Sequence, residues 1–249
     1  MLIIQSVDTL VRYSLAASLA YSPPDRLSAG SSEYAQRLAP HLQFAEQVSV
    51  DELAASATVF TGVEEDELLV AFRGSTVLRN YASMFNLFLT PSTLGGGGKV
   101  HTGYQEASLR LYDKLAPVLK RRSAARLVFV GHSYGGGTST MCARLHAAEA
   151  AVSELVTFAG PRIGDSAFAA SFDRALGEQT VHLVHDLDPV LAQNQPLWNA
   201  LGFVHTGQLV RCSATEPRLL REGEAREGLP LNIADHAMYL GTSLGLGDT

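Results

Sequence analysis

Val7, Leu10, Val11, Leu15 and Leu19 recur at helical spacing, which predicts an amphipathic helix over 6–21 that Ser6 can cap and Pro23–Pro24 stop. Residues 25–55 are mixed and weakly helical. The pattern then changes to short β-rich runs, Thr58–Thr61 and Glu67–Phe72, parted by the acidic turn Glu64-Glu65-Asp66. Leu109, Leu111, Tyr112, Leu115 and Leu119 mark the apolar face of a helix over Tyr104–Arg122. Leu127-Val128-Phe129-Val130 is apolar throughout, as a parallel strand covered on both faces should be. A helix from Tyr134 to about Ala150, a strand at Leu155–Ala159, a helix near Ser166–Leu176 and a strand at Val181–His185 follow. Short strands around Phe203–Val204 and Gln208–Val210 precede a last helix near His236–Leu244. Strands alternating with helices predict an α/β fold, a mostly parallel central sheet with helices on both faces. No repeat or long linker divides the chain, so 1–249 reads as a single domain.

Composition narrows the function. The chain is 46% hydrophobic and 18% charged with a net charge of -6, which excludes a disordered protein and offers no basic stripe for nucleic acid. The longest stretch without Asp, Glu, Lys or Arg, Pro189–Val210, carries too much Pro, Asn and Gln to span a membrane. Asp8 and Arg12 interrupt the amino-terminal apolar run, so it makes a poor secretory signal; the expectation is a cytoplasmic protein, or one exported by another route or as a processed form. Cys142 and Cys212 make neither a disulfide framework nor a zinc pattern and read as two small thiols.

Chemistry enters at Gly131-His132-Ser133-Tyr134-Gly135. This G-x-S-x-G run follows the apolar strand and opens a helix, the strand–turn–helix setting of a nucleophile elbow. Such a turn places Ser133 at the carboxyl end of the sheet with the positive end of the following helix behind it. His132 points away from the nucleophile in an elbow and packs or orients. A serine hydroxyl is a weak nucleophile and requires a base within hydrogen-bond reach and an acid to orient that base. In the order Ser, acid, His, the acid is Asp186 or Asp188, beside Pro189 at the end of a strand, and the base is His205 or His236. Residue order alone leaves both choices open.

The charge that develops on a substrate carbonyl oxygen must meet fixed N–H donors. The amide of Tyr134, next after the nucleophile, is one; the segment Phe72-Arg73-Gly74-Ser75-Thr76, at the end of an earlier strand, is placed to supply another.

With these segments in hand, the chain resembles the class 3 lipase family, α/β-hydrolases of the fungal triacylglycerol lipase type. Phe72-Arg73-Gly74-Ser75 resembles the family's oxyanion segment, and Val100-His101-Thr102-Gly103-Tyr104 its V-H-x-G-[FY] block. Gly131-His132-Ser133-Tyr134-Gly135-Gly136 resembles G-H-S-L-G-G, departing at Tyr134. Thr157–Asp165 resembles T-[FY]-x-x-P-R-[VI]-G-[ND], Asp188-Pro189-Val190 the acid block, and Asp235-His236-Ala237-Met238-Tyr239 the base block. The resemblance covers roughly residues 58–240. It implies Asp188 over Asp186 as the acid and His236 over His205 as the base, with Ser75 and the Tyr134 amide holding the oxyanion. It makes His101, Arg162 and Asp165 scaffold, and sets the Tyr134 ring where it bears on the width or polarity of the pocket.

Between the oxyanion segment and His101, the residues Val77, Leu78, Tyr81, Met84, Phe85 and Phe88 form an amphipathic helical stripe. Thr90-Pro91 and the run Gly95–Gly98 then supply a stop and a flexible segment. In class 3 lipases this region, here about 77–98, is the lid. The resemblance implies an ester hydrolase for apolar acyl chains, acylglycerols foremost, working through an acyl-enzyme without metal or cofactor, with a lipid or other ester as its partner at a lipid–water interface. The alternatives are a phospholipase A1, a feruloyl-type esterase, and, from another class, a non-catalytic lipid-binding protein on a hydrolase scaffold.

Overall fold

A computed structural model describes residues 7–63, 66–75, 88–185, 188 and 195–212. In chain order they form α1 (Val7–Leu19), α2 (Pro24–Ala29), α3 (Glu33–Leu38), β1 (Leu42–Val50), β2 (Ala55–Gly62), β3 (Glu67–Phe72), β4 (Leu89–Pro91) and β5 (Lys99–His101). Then follow α4 (Thr102–Arg122), β6 (Arg126–His132), α5 (Tyr134–His146), β7 (Glu154–Phe158), α6 (Ser166–Leu176), β8 (Thr180–His185), α7 (Gln195–Ala200) and β9 (Gln208–Cys212). Seven strands make the central sheet in the order β1-β2-β3-β6-β7-β8-β9. β3, β6, β7, β8 and β9 run parallel, while β2 is antiparallel to both of its neighbours.

Alternation along the strands supplies two cores. Leu68, Val70, Phe72 and Phe129 face one side, where Leu111 and Leu115 of α4, Met141 of α5 and Phe172 of α6 cover them. Leu69, Ala71, Val128 and Val130 face the other, against Tyr13, Ala16, Ala17 and Ala20 on and just after α1. Small residues on α1 let that helix lie close to the sheet.

β1 departs from the weakly helical reading of 25–55. Its periodicity is hidden by a bulge between Phe44 and Glu46. Leu42 and Phe44 pack on the α1 side, and after the extra residue Val48 and Val50 pack on the opposite side. One inserted residue reverses every later side chain, so a strict period of two fails across the strand.

The amino ends of the parallel strands hold a buried charge cluster. Arg126 at the start of β6 pairs with Glu67 at the start of β3 and with Glu154 at the start of β7 (2.5 Å). Tyr13 donates to Glu154 (2.6 Å) and accepts from Arg126 (2.9 Å). Burial, reinforced by Glu154, pushes the Tyr13 phenol far above its ordinary range. Cys142 is a buried free thiol, likewise pushed up by burial; the side chain of Cys212 lies outside the described residues. Among the described residues no helix is long and apolar enough to cross a membrane.

Candidate active site

β6 ends in a turn that an L-residue adopts only under constraint. Ser133 has φ 54° and ψ -123°, a left-handed conformation that costs on the order of 1–3 kcal/mol. It is held by a hydrogen bond from the Ser133 amide to the Phe158 carbonyl (2.9 Å) and by one from the Gly136 amide to the Ser133 carbonyl (2.8 Å). The turn is too tight for side chains on its flanks, since a Cβ on Gly131 would lie 2.3 Å from the Gly135 carbonyl oxygen. α5 begins at the next residue and turns its orphan amides toward the turn.

The second donor segment meets this elbow across β3 and β6. Phe72 is in register with Gly131, so the chain leaving β3 through Arg73, Gly74 and Ser75 runs beside the turn. Ser75 is half-buried there. Tyr134 opens α5, and its main-chain amide sits ahead of the helix's own hydrogen-bond ladder. Its ring departs from the expected place. It stacks on Tyr104 (centroids 5.1 Å apart, 29°) and donates to the Leu53 carbonyl (3.3 Å), and burial pushes its phenol up to about 12. The departure from the family's small or aliphatic residue is therefore absorbed by core packing.

Asp188 is fully buried. Leu183 of β8 is in register with Phe158 of β7, and Phe158 with His132 of β6. Asp188 thus follows the carboxyl end of a strand two positions across the sheet from the elbow, about 10 Å away at ordinary strand spacing. Ser75, Ser133, Tyr134 and Asp188 share one rim of the sheet. Asp186, His236 and the predicted last helix lie outside the described residues, as do Val77, Leu78, Tyr81, Met84 and Phe85.

The other histidines have separate surroundings. His101 caps α4, its Nδ1 accepting from the amides of Gly103 (3.1 Å) and Tyr104 (3.4 Å). His146, hydrogen-bonded to Tyr112 (3.0 Å), is shifted down by burial. His182 is buried between the hydroxyls of Thr157 (2.6 Å) and Thr206 (3.0 Å), with His205 5.8 Å away between ring centroids. Burial lowers His182 to about 4, so it is neutral near pH 7. His132 is hydrogen-bonded through Nδ1 to the hydroxyl of Tyr21 (2.7 Å). Tyr21 carries no motif, and its partner is 111 residues away in sequence, so no local pattern marks it. Arg162 and Asp165 are framework, Arg162 reaching Asn199 and the Phe203 carbonyl and Asp165 capping α6.

The predicted glycine segment forms the turn of a hairpin. β4 and β5 pair with Pro91 opposite Lys99, and Gly95–Gly98 all have φ between 78° and 85°. A Cβ on Gly98 would fall 2.2 Å from the Phe168 amide nitrogen, and Gln105 of α4 accepts from the Thr93 amide (2.8 Å). Phe88, just before the hairpin, is 72% exposed, although its carbonyl accepts from the amide and hydroxyl of Thr102. Among the described residues, no three His, Cys, Asp or Glu side chains converge as metal ligands.

Comparison with known proteins bears on this geometry. The family described as Lipase (class 3) matches residues 69–194, just over half of the chain. A lipase from Rhizomucor miehei is 27% identical over 209 residues, 77% of this chain and 56% of that one. A secreted mono- and diacylglycerol lipase from Fusarium solani is 30% identical over 142 residues, 54% of this chain and 41% of that one. The chain spans about half the length of the curated relatives it matches. The solved structure of the Rhizomucor miehei triacylglyceride lipase superposes with a TM-score of 0.80 at 23% identity, covering 98% of this chain and 97% of that one. The fold is that of the α/β-hydrolases.

Proposed function

The chain belongs to the class 3 lipase family, and from that premise we propose that it hydrolyses carboxylic esters of apolar acyl chains, acylglycerols foremost. Ser133 attacks the ester carbonyl while His236 takes its proton, and Asp188 orients the imidazole and stabilises the imidazolium. The Tyr134 amide and Ser75 receive the charge on the carbonyl oxygen. His236 then protonates the departing alcohol, and water, deprotonated by the same imidazole, releases the acid and restores Ser133.

The observation that carries the reading is the conformation of Ser133, whose backbone is held in a costly left-handed turn at the carboxyl end of a parallel strand. Acylglycerols are favoured by the names of the two curated relatives, a lipase and a mono- and diacylglycerol lipase. The exposed ring of Phe88 and the apolar stripe before it support a lid at the lipid–water interface.

A panel of p-nitrophenyl esters of increasing acyl length, with a triglyceride and a phospholipid, tests the substrate class. Turnover is expected to rise with acyl length, and on the triglyceride to climb steeply above its solubility limit. Preference for the phospholipid or for an aromatic acid would overturn the acylglycerol assignment. Full activity in Ser133→Ala would overturn the mechanism.

A further inference from the structure

Tyr21 links the two halves of the active site. Its backbone is fixed first. α1 runs on through hydrogen bonds from the amides of Ala20 to Ala16 (3.0 Å), Tyr21 to Ser18 (3.2 Å) and Ser22 to Leu19 (2.9 Å) before Pro23 and Pro24 end it. Gln47 of β1 then donates to the Ser22 carbonyl (3.2 Å) and to Thr58 of β2 (2.9 Å), tying this turn to the sheet. Tyr13, Ala16, Ala17 and Ala20 are buried beneath it, so the tyrosine projects from a rigid base.

From that base the hydroxyl reaches two catalytic segments at once. It is 2.7 Å from Nδ1 of His132, the residue before the nucleophile, and the two rings meet at 56°. It also fills the side-chain space of Gly74, the residue before Ser75, because a Cβ on Gly74 would lie 2.0 Å from it and 2.8 Å from the His132 carbonyl oxygen. The absence of a side chain at Gly74 lets the oxyanion segment, the elbow and this one oxygen meet.

We propose that Tyr21 is a positioning residue: its hydroxyl holds the elbow and the oxyanion segment at the separation the reaction requires. The inference rests on the serine-hydrolase reading above. An oxyanion hole works only when its donors stand at hydrogen-bond distance from the place the charged oxygen will occupy, and small displacements there reduce turnover with little effect on ground-state binding. One donor lies on each segment, the Tyr134 amide beyond His132 and Ser75 beyond Gly74. Without the hydroxyl, the two segments lose a common partner.

The test is a cycle of Tyr21→Phe and His132→Gln, assayed with p-nitrophenyl butyrate below its solubility limit, beside Ser133→Ala. His132→Gln removes the hydrogen-bonding atom at the Nδ1 position, whereas the amide of His132→Asn retains one there. Tyr21→Phe is expected to lower kcat about tenfold or more with KM within about twofold, and to slow fluorophosphonate labelling in step. Within the His132→Gln background it should change kcat by less than about twofold, since the shared bond is already gone. Wild-type kcat in Tyr21→Phe, or an equal loss in both backgrounds, would overturn the proposal. Should Tyr21→Phe show no cooperative melt, His132→Asn against His132→Gln decides: higher kcat for Asn supports the proposal, equal kcat overturns it. Failure of the serine-hydrolase reading would look different, as a wild-type chain that neither labels nor turns over ester.

Discussion

Gly135 and Phe72 meet backbone to backbone: a methyl group on Gly135 would lie 2.1 Å from the Phe72 carbonyl oxygen. The first turn of α5 therefore rests on the end of β3, and the elbow and the oxyanion segment are assembled as one unit. Neither neighbour is a flexible side chain that could swing aside. Gly135→Ala should cost about 1–3 kcal/mol or more and depress kcat further than stability alone explains, as read by melting temperature and p-nitrophenyl ester turnover. Wild-type values for both would show that this contact is not a constraint.

The carboxyl rim carries the proposed chemistry, and the amino edge carries a different burden. Arg126 compensates Glu67 and Glu154, which are 2% and 6% exposed. Arg126→Met removes the cationic partner of Glu154 and leaves Glu67 to Arg12 (3.5 Å), and is expected to destabilise by about 3–5 kcal/mol, measured by urea denaturation. Because Arg126 lies at the opposite end of its strand from Ser133, turnover per folded molecule should stay near wild type.

His182 gives stability a dependence on pH. Its folded-state value, lowered by burial to about 4 from 6.5, means that the unfolded chain binds a proton more readily between those limits. Its contribution is therefore fully present above about pH 6.5 and is lost as pH falls toward 4, on the order of 3 kcal/mol across the window. His146, also lowered by burial, titrates in the same direction. Comparison of unfolding free energy against pH for wild type and His182→Gln isolates the share of His182. The variant should show a visibly shallower slope on the acid side; parallel slopes would contradict the assignment.

His101 illustrates a histidine that serves the backbone. Since its Nδ1 receives two first-turn amides of α4, His101→Asn, a good capping residue, should retain most of the stability, while His101→Leu should lose about 1–3 kcal/mol. Both should hydrolyse ester when assayed well below their melting temperatures. A folded Asn variant without turnover would place His101 in the chemistry.

Much of this was legible in the sequence for identifiable reasons. The buried strands β3 and β6 were readable because an unbroken apolar run flanked by turns has few other uses, and Asp165 and Gly177 bracket α6 at Ser166–Leu176. Ser133 was readable because G-x-S-x-G falls between a strand and a helix. What stayed hidden depends on distant contact. β1 reverses its faces at a bulge set by β2, and Gly96 and Gly98 look like part of a flexible run until Ser171 and Phe168 of α6 are set against them. Tyr21 and His132 share no local signal, since only the completed sheet brings the end of α1 over the elbow. Only family resemblance separates Asp188 from Asp186 and His236 from His205, and His236 lies outside the described residues.

In the proposed mechanism Ser133 is an activated nucleophile served by His236. The rate of labelling by a fluorophosphonate, with the modified residue located by peptide mass spectrometry, measures this most directly. Rapid labelling confined to Ser133, slowed at least about a hundredfold in His236→Ala, is the predicted result. Labelling at another residue, or an undiminished rate in that variant, would contradict it.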